Sequence, residues 1–258
     1  AKGETEMAKK KEVRQNQIYQ LLVDNGRMRI KDLADQLHVT TETLRTDLVD
    51  LEKQRRVVRE HGYARSLSEL EESPLQWREK ENETDRKAVG IRAMHLVEDN
   101  QVIFLDSGST VLLGVPVLAT KHGITVVTNS IPVAYQTALM DINTIFLGGP
   151  VTNIGLRTHG HRVVEAVDEI TFDVALLGSD GIANAHGFTI LSYNEINIKK
   201  HVIAQSKKSI VAMDSSKFKK KASFAFCNFR DIDTLVTNHA SESDKEIVKE
   251  IPEIIEVS

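Results

Sequence analysis

Apolar residues recur along this chain with two periods, and the change from one to the other divides it. Val13, Ile18, Leu21 and Leu22 fall on one face of a helix that Asn25-Gly26 stops. Met28-Arg29-Ile30 reads as a short extended segment. Between Lys31 and Leu37, the positions of Leu33, Ala34 and Leu37 predict a short second helix, with a turn at His38-Val39-Thr40. Thr40 or Thr41 can cap a third helix, in which Leu44, Leu48 and Leu51 repeat at helical spacing. That leaves Glu42, Thr43, Arg45 and Thr46 on or near its exposed side. The stretch VVREHGYARSL (57–67) then alternates around His61-Gly62, which reads as a small hairpin.

Beyond a polar, acidic connector carrying Pro74 and Trp77, the pattern changes. A helix from Thr84 is followed by short apolar runs that close on polar or glycine residues: VIFLDSGST, ITVVTNS, TIFLGG, VALLGSDG, IVAMDSSK and TLVTN. Helix-length segments such as IPVAYQTALM and YNEINIKKHVIAQS lie between several of them. Strands alternating with helices predict a mostly parallel sheet covered on both faces. Trp77 reads as an anchor against this second domain rather than as a ligand-stacking group.

Charge sharpens the division. Residues 8–66 hold 13 Lys and Arg against 9 Asp and Glu, a net of +4, whereas residues 67–258 carry −7. A basic head on an acidic body suggests that the head, and not the body, meets a polyanion. With Cys227 as the single cysteine, no disulfide can form within the chain and no CxxC metal pair exists, so a reduced, cytoplasmic setting is expected. Neither a secretory leader nor a membrane span is predicted.

Helix, turn, helix and basic hairpin together form the outline of a winged helix-turn-helix, although a three-helix bundle with a solvated surface shares that outline. In the DNA-binding reading Arg45 is the base-edge or phosphate donor, because a guanidinium matches guanine or phosphate at two points. Thr41 and Thr43 lie near the helix start, and Arg55, Arg56, Arg59 and His61 meet phosphates along the wing.

In parallel sheets the crevice at the carboxyl ends of the strands binds ligands. Those ends offer Asp106, Ser107, Gly108, Ser109 and Thr110, then Thr128, Asn129 and Ser130, Gly148 and Gly149, Asp180 and Gly181, and Asp214 with Lys217. Hydroxyls, backbone amides and a lysine can grip a phosphate, and carboxylates can orient sugar hydroxyls. Any one of these turns is common punctuation; their recurrence at successive strand ends carries the reading. Glu195 and Lys199 form an i,i+4 pair that, by pattern alone, is a surface ion pair. His159 and His161 lack a carboxylate or cysteine partner, so no metal is expected. No cofactor is expected either. Cys227, within FAFCNF, reads as buried and structural, and Lys219 to Lys221 as a solvated loop.

RQNQIYQLL followed by IKDLADQLHVTTETLRTDLVDLEKQRRVVREHGYA resembles the amino-terminal signature of the DeoR family of bacterial repressors. Thr40, Thr43, Leu44, Arg45, Asp47, Leu48, Leu51, Glu52, Arg59, His61, Gly62 and Ala64 match, whereas Arg55 and Tyr63 stand where that family has glycine. The body resembles the same family's sensor domain through the turn at Asp106 to Thr110, the TNS at 128–130, Gly148-Gly149, GSDGI, the Gly187…Glu195…Lys199 spacing, AMDSSKF and DIDTLVT. Thr152 departs from a frequent arginine, a loss that Lys217 or Arg157 could compensate.

The resemblance implies an α/β protein. A winged helix-turn-helix domain at 8–66, a linker at 67–83 and a larger, doubly wound, mostly parallel sensor domain of the ribose-5-phosphate isomerase-like type at 84–258 are expected. It implies a homodimer or homotetramer that binds operator double-stranded DNA under the control of a phosphorylated sugar or sugar alcohol. LDSGSTVLLGVPVL resembles the family's sugar-alcohol repressors. A sugar-phosphate isomerase or deaminase on the same scaffold is the alternative, with Asp106, Asp180, Glu195 and Lys199 as acid–base groups.

Overall fold

Asn25-Gly26 ends the first helix as the sequence requires. Helix α1 (Lys2–Asn25) stops there because Gly26 takes a left-handed φ of +70°, which lacks a steric cost only for glycine. A computed structural model describes residues 2–54, 56–67, 72, 75, 78 and 81–257; Arg55, Pro74 and Trp77 lie outside them. The chain separates into two compact units, Ala1–Ser73 and Pro74–Ser258.

In the first unit, β1 (Met28–Arg29) leads into α2 (Ile30–Gln36). His38 makes the turn at a positive φ, and Thr40 caps α3 (Thr41–Lys53) by accepting the Thr43 amide at 3.1 Å. Strands β2 (Val57–Glu60) and β3 (Tyr63–Ser66) form the hairpin, and His61 and Gly62 at its tip both take positive φ. With β1 they make a three-stranded sheet of order β1-β3-β2. Ile18, Leu22, Leu33, Leu44, Leu48, Leu51 and Val57 are fully buried between helices and hairpin. Asp47 is also buried, at 1% exposure, and Arg14 of α1 grips it through two hydrogen bonds of 2.5 and 3.2 Å. This pair ties α1 to α3.

The second unit starts its regular structure at α4 (Glu83–Met94) and β4 (Val102–Leu105), followed by the short α5 (Ser109–Gly114). Next come β5 (Thr125–Thr128), α6 (Ile131–Leu139) and β6 (Asn143–Phe146). A two-stranded ribbon of β7 (Val151–Thr152) and β8 (Arg157–Thr158) precedes α7 (His161–Asp168) and β9 (Phe172–Leu177). Strand β10 (Gly187–Ile190), α8 (Ile196–Ala204), β11 (Ser206–Ala212), β12 (Phe224–Asn228) and β13 (Thr234–Thr237) follow, then α9 (Glu242–Ile247) and β14 (Glu253–Glu256).

Seven strands form one sheet of order β14-β13-β11-β9-β4-β5-β6, and every neighbouring pair is parallel. For the interior strands, burial on both faces explains the unbroken apolar runs; the edge strand β6 carries its run exposed. Ile103 and Leu105 pack on one side with Val126, Val174 and Ile210, while Phe104 packs on the other with Val127, Ala175 and Val211. The chain proceeds outward from β4 through β5 to β6, then returns to place β9 on the opposite flank of β4. That reversal opens a crevice between the carboxyl ends of β4 and β9, where doubly wound sheets bind ligands.

Two glycines set the position of α5 beside this crevice. A Cβ on Gly90 of α4 would stand 2.2 Å from the Thr110 carbonyl, and one on Gly114 would stand 2.3 Å from the Gly90 carbonyl. The helices therefore cross backbone to backbone. β10 and β12 form an antiparallel ribbon outside the main sheet, and Cys227 sits in it, partly buried, with burial pushing its thiol up to about 12. Among the described residues no helix is long and apolar enough to cross a membrane.

Candidate functional site

A cavity opens at the reversal of strand order. It is lined by Asp106 to Thr110 after β4, Gly178 to Asp180 after β9, Ile190, Glu195, Lys199 and Lys217, together with Arg78 and Arg86. Four cationic side chains thus face three carboxylates and a set of small hydroxyls, and most of these groups are buried: Asp106 and Lys199 are each 3% exposed and Arg86 1%. Charges so far from water persist only when paired and hydrogen-bonded.

Most of these charges sit against an opposite charge or a hydrogen-bond donor or acceptor. Asp106 accepts the Gly178 amide at 2.8 Å and a hydrogen bond from the Lys199 ammonium, which also donates to the Gly178 carbonyl at 3.1 Å. Glu195 accepts the Ser107 hydroxyl at 2.9 Å, and Arg157 Nε lies 2.8 Å from the same oxygen. Arg86 donates to Ser109 Oγ at 2.8 Å, to the Arg78 carbonyl and to Asp214 at 3.2 Å. Asn82 donates to the other Asp214 oxygen. Asp180 accepts the Leu191 amide at 2.9 Å.

The fields follow from this arrangement. Burial pulls the Lys199 ammonium toward its neutral form, but Asp106 and Glu195 overcome it and hold the group above the ordinary lysine value. Burial likewise raises Asp180, yet the charges of Arg78 and Lys217 bring it below the usual carboxylate range. Asp214 is also held low against burial, by the Ser216 amide, Lys217 and Arg86. Lys217 differs: burial, with Lys220 and Arg86 nearby, lowers it to about 8 against the pull of Asp180 and Asp214. Unlike Lys199, it is held at a charge that burial opposes more than its neighbours favour.

The structure brings together nine of the residues singled out from sequence: Asp106, Ser107, Gly108, Ser109, Thr110, Asp180, Glu195, Lys199 and Lys217. Glu195 and Lys199 are not a surface pair. They reach into the cavity from the start of α8, and each takes a different partner.

Thr128, Asn129 and Ser130 lie at the neighbouring strand end, outside the lining. Thr128 donates to the Leu105 carbonyl, Asn129 to the Thr158 carbonyl, and Ser130 caps α6. Gly148 and Gly149 follow β6 on the exposed rim, where a Cβ on Gly149 would stand 2.7 Å from the His159 carbonyl. Gly181 is required by the Lys220 carbonyl, 2.2 Å from its would-be Cβ, and Asp214 stands behind Arg86. Thr152 is in β7, away from the lining, and Arg157 is buried against Glu195.

Sequence reasoning passed over Arg78, Arg86, Gly178, Ser179 and Ile190. A signal for Arg86 existed. It shares the buried face of α4 with Val89, Gly90 and Ala93 at helical spacing, and a charge in an apolar stripe calls for a buried partner.

In the first unit α3 presents Thr41, Glu42, Arg45 and Thr46 to solvent. The Arg45 side chain is 60% exposed, 3.5 Å from Glu42, while Thr43 is partly buried with its hydroxyl against Thr40. Two wing arginines are engaged internally. Arg59 grips Glu52 at 2.8 and 2.6 Å, and Arg56 donates to Asn16 and stacks 4.3 Å over Tyr19. His61 is exposed at the hairpin tip. Tyr63 gathers two arginines that the sequence did not single out: Arg27 lies 4.1 Å over its ring, and Arg29 donates to its hydroxyl at 2.9 Å.

Comparison with known proteins agrees in both units. The family model of the DeoR-like helix-turn-helix domain matches residues 14–70, and that of the DeoR C-terminal sensor domain matches residues 81–239. FruR, an uncharacterized HTH-type transcriptional regulator of Bacillus subtilis (strain 168), is 29% identical over 229 residues, 87% of this chain and 91% of the relative. The lactose phosphotransferase system repressor of Staphylococcus epidermidis is 24% identical, covering 94% of this chain and 98% of its own. Among solved structures, ribose 5-phosphate isomerase A from Neisseria gonorrhoeae is similar over 51% of this chain and 52% of that one, at 20% identity and a TM-score of 0.38. With both of its units matched by the family models, this chain belongs to the DeoR family of helix-turn-helix regulators.

Proposed function

We propose that the chain is a cytoplasmic repressor of a carbohydrate-utilisation operon and that a phosphorylated sugar or sugar alcohol controls its affinity for operator DNA. The observation that carries the effector half is the cavity itself: three buried cations, Arg86, Lys199 and Lys217, with the partly buried Arg78 and the hydroxyls of Ser107, Ser109 and Thr110 at the reversal of strand order. Lys217, Arg78, Ser109 and Thr110 would take the phosphate, because that side carries the cation whose charge burial opposes more than its neighbours favour. Asp180, Asp106 and Glu195 would orient sugar hydroxyls. Arg86 positions Ser109 and Asp214 from behind.

On the other unit, the exposed start of α3 would enter the major groove, with Thr41 and Arg45 reading bases or phosphates. His61 and the Arg27–Tyr63–Arg29 cluster would lie along the backbone. Arg56 and Arg59 support the wing through Asn16, Tyr19 and Glu52 and contact phosphate only after giving up those partners. Two half-sites call for two heads, hence a homodimer or homotetramer. Control requires only that the effector prefer one arrangement by about 1–3 kcal/mol.

The electrostatics of Asp106, Asp180, Glu195 and Lys199, the four groups an isomerase here would use, favour sensing over turnover. A base that moves protons between sugar carbons works best when its pKa lies near the operating pH. Asp180 is held low and Lys199 high, and Asp106 and Glu195 are each committed to cations. The test is a thermal-shift screen of phosphorylated sugars and sugar alcohols, followed by operator gel shifts with and without the ligand found. Micromolar stabilisation together with release of DNA is expected, and Arg45→Ala should abolish retention without changing the circular dichroism spectrum. Enzyme-like turnover of a sugar phosphate, lost on Glu195→Ala, would overturn the reading.

A further inference from the structure

One region of the sensor unit lacks the charge that covers the rest of the molecule. From Ile124 to Leu156 the only charged residue is Asp141, whereas the chain average of 27% charged residues would place about nine in such a stretch. The same region is apolar where it meets solvent. Of the large hydrophobic residues that are exposed among those described, most lie here: Ile131, Tyr135, Leu139, Ile145, Phe146 and Val151.

They border one edge of the sheet, with Phe146 on the side that α6 covers and Ile145 on the other. Ile131, Tyr135 and Leu139 make a stripe at i, i+4 and i+8 along α6, opposite the buried Val133 and Thr137. Leu139 is 70% exposed and Tyr135 66%, so neither is a grazing core residue. Ile145 and Phe146 belong to β6, against which α6 packs, and Val151 follows it. β6 is an edge of the seven-stranded sheet, paired only with β5 among the described residues.

The opposite edge shows what a solvent-facing strand looks like in this protein. β14 reads Glu-Ile-Ile-Glu; Glu253 lies 3.5 Å from Lys208 and Glu256 2.9 Å from Lys245. Edge strands that remain in water are protected by such charges. β6, which reads Asn-Thr-Ile-Phe, has no such protection.

We propose that α6, β6 and Val151 form the surface on which a second copy of this chain docks. A surface whose stretch of chain holds a single charge, the acidic Asp141, offers little to a nucleic acid or to a partner selected by electrostatic complementarity, and charge depletion with aromatic enrichment marks the core of an obligate interface. A parallel sheet edge is self-complementary about a two-fold axis, because the unpaired amides and carbonyls of β6 meet the same row running antiparallel. These six apolar residues, 37–70% exposed, supply an apolar centre for an interface of standard size, roughly 800 Å² per partner. The choice of a second copy rests also on the regulator reading, in which two heads meet two half-sites.

The test is sedimentation equilibrium of the full-length chain at 1–100 µM, with wild type compared against Leu139→Glu and, separately, Ile145→Lys. Both positions are exposed, so circular dichroism should be unchanged. Either substitution is expected to halve the assembled mass at concentrations where wild type is fully associated, a loss of affinity of at least about 100-fold. Ile247→Glu, an exposed apolar residue elsewhere, should leave association intact. A wild-type chain that is monomeric at 100 µM, or folded variants of unchanged mass, would refute the assignment. A dimer that dissociates as expected but shows no thermal shift with any phosphorylated sugar would sink the effector reading and leave the surface standing.

Discussion

Lys217 offers the sharpest test of the cavity. The residue is 8% exposed and its ammonium titrates near 8 rather than 10.5, with burial, Lys220 and Arg86 opposing the charge and Asp180 and Asp214 favouring it. The gap corresponds to a penalty on the order of 3 kcal/mol for holding the charge at this buried position. A phosphomonoester is dianionic above its second pKa of about 6, and as a close counter-ion it should keep the lysine protonated well above 8. Binding would therefore take up protons: about 0.1 per site at pH 7, 0.5 at pH 8 and 0.9 at pH 9. Affinity should weaken about tenfold per pH unit above 8.

Calorimetric titration with ribose 5-phosphate, or with the best ligand from a thermal screen, in two buffers of different ionisation enthalpy measures this uptake directly. Lys217→Met should lower affinity and flatten the profile, whereas Lys217→Arg should retain binding without the uptake. The unliganded protein gives a second readout. Between about 8 and 10.5 the unfolded chain holds the extra proton, so this group makes stability rise with pH, and saturating ligand should remove the rise. Proton uptake near zero in wild type from pH 7 to 9, or uptake that survives in Lys217→Met, would refute the reasoning.

Three further outcomes follow from other contacts. Arg14→Met leaves Asp47 buried and unpaired, which should cost about 3–5 kcal/mol in denaturant unfolding of the first unit, with the second unit's transition unmoved. Gly90→Ala forces a Cβ into the Thr110 carbonyl, so α5 must shift; thermal stability should fall by about 1–3 kcal/mol and effector binding should weaken, while operator binding without effector is kept. Tyr63→Gly, which restores the glycine frequent in the family, releases Arg27 and Arg29. Operator affinity should then drop several-fold, and its salt dependence should fall if those arginines lie on phosphates.

Much of this protein is written in local pattern. Asn25-Gly26, the capping Thr40 and the His61-Gly62 tip delimit the helix-turn-helix and its wing because backbone conformation at those points depends on neighbours in sequence. The apolar runs that close on polar turns gave the strands of the sheet from IFLDSGST to TLVTN, because a strand buried on both faces needs side chains of one kind. Within IFLDSGST, the carboxylate and the hydroxyls were legible as the polar end of a buried strand, and the structure puts them in the lining of the cavity.

What could not be read is everything that depends on which strand ends become neighbours. The turns after β4, β5, β6, β9 and β11 look alike in sequence, yet those after β4 and β9, with Lys217 from the turn after β11, line the cavity, and those after β5 and β6 do not. Thr128 to Ser130 serve the backbone one strand away. Arg86 looked like one more polar residue of a helix until α4 placed it against Asp214 and Ser109. Arg56 and Arg59 looked like free wing cations until Tyr19 and Glu52 met them. The sequence by itself determined the elements, the two-unit division and the chemical vocabulary of the crevice, since those are set by propensity and period. Tertiary structure alone decided which charges face one another, because a buried charge is defined by partners that stand tens of residues away and by the water they exclude.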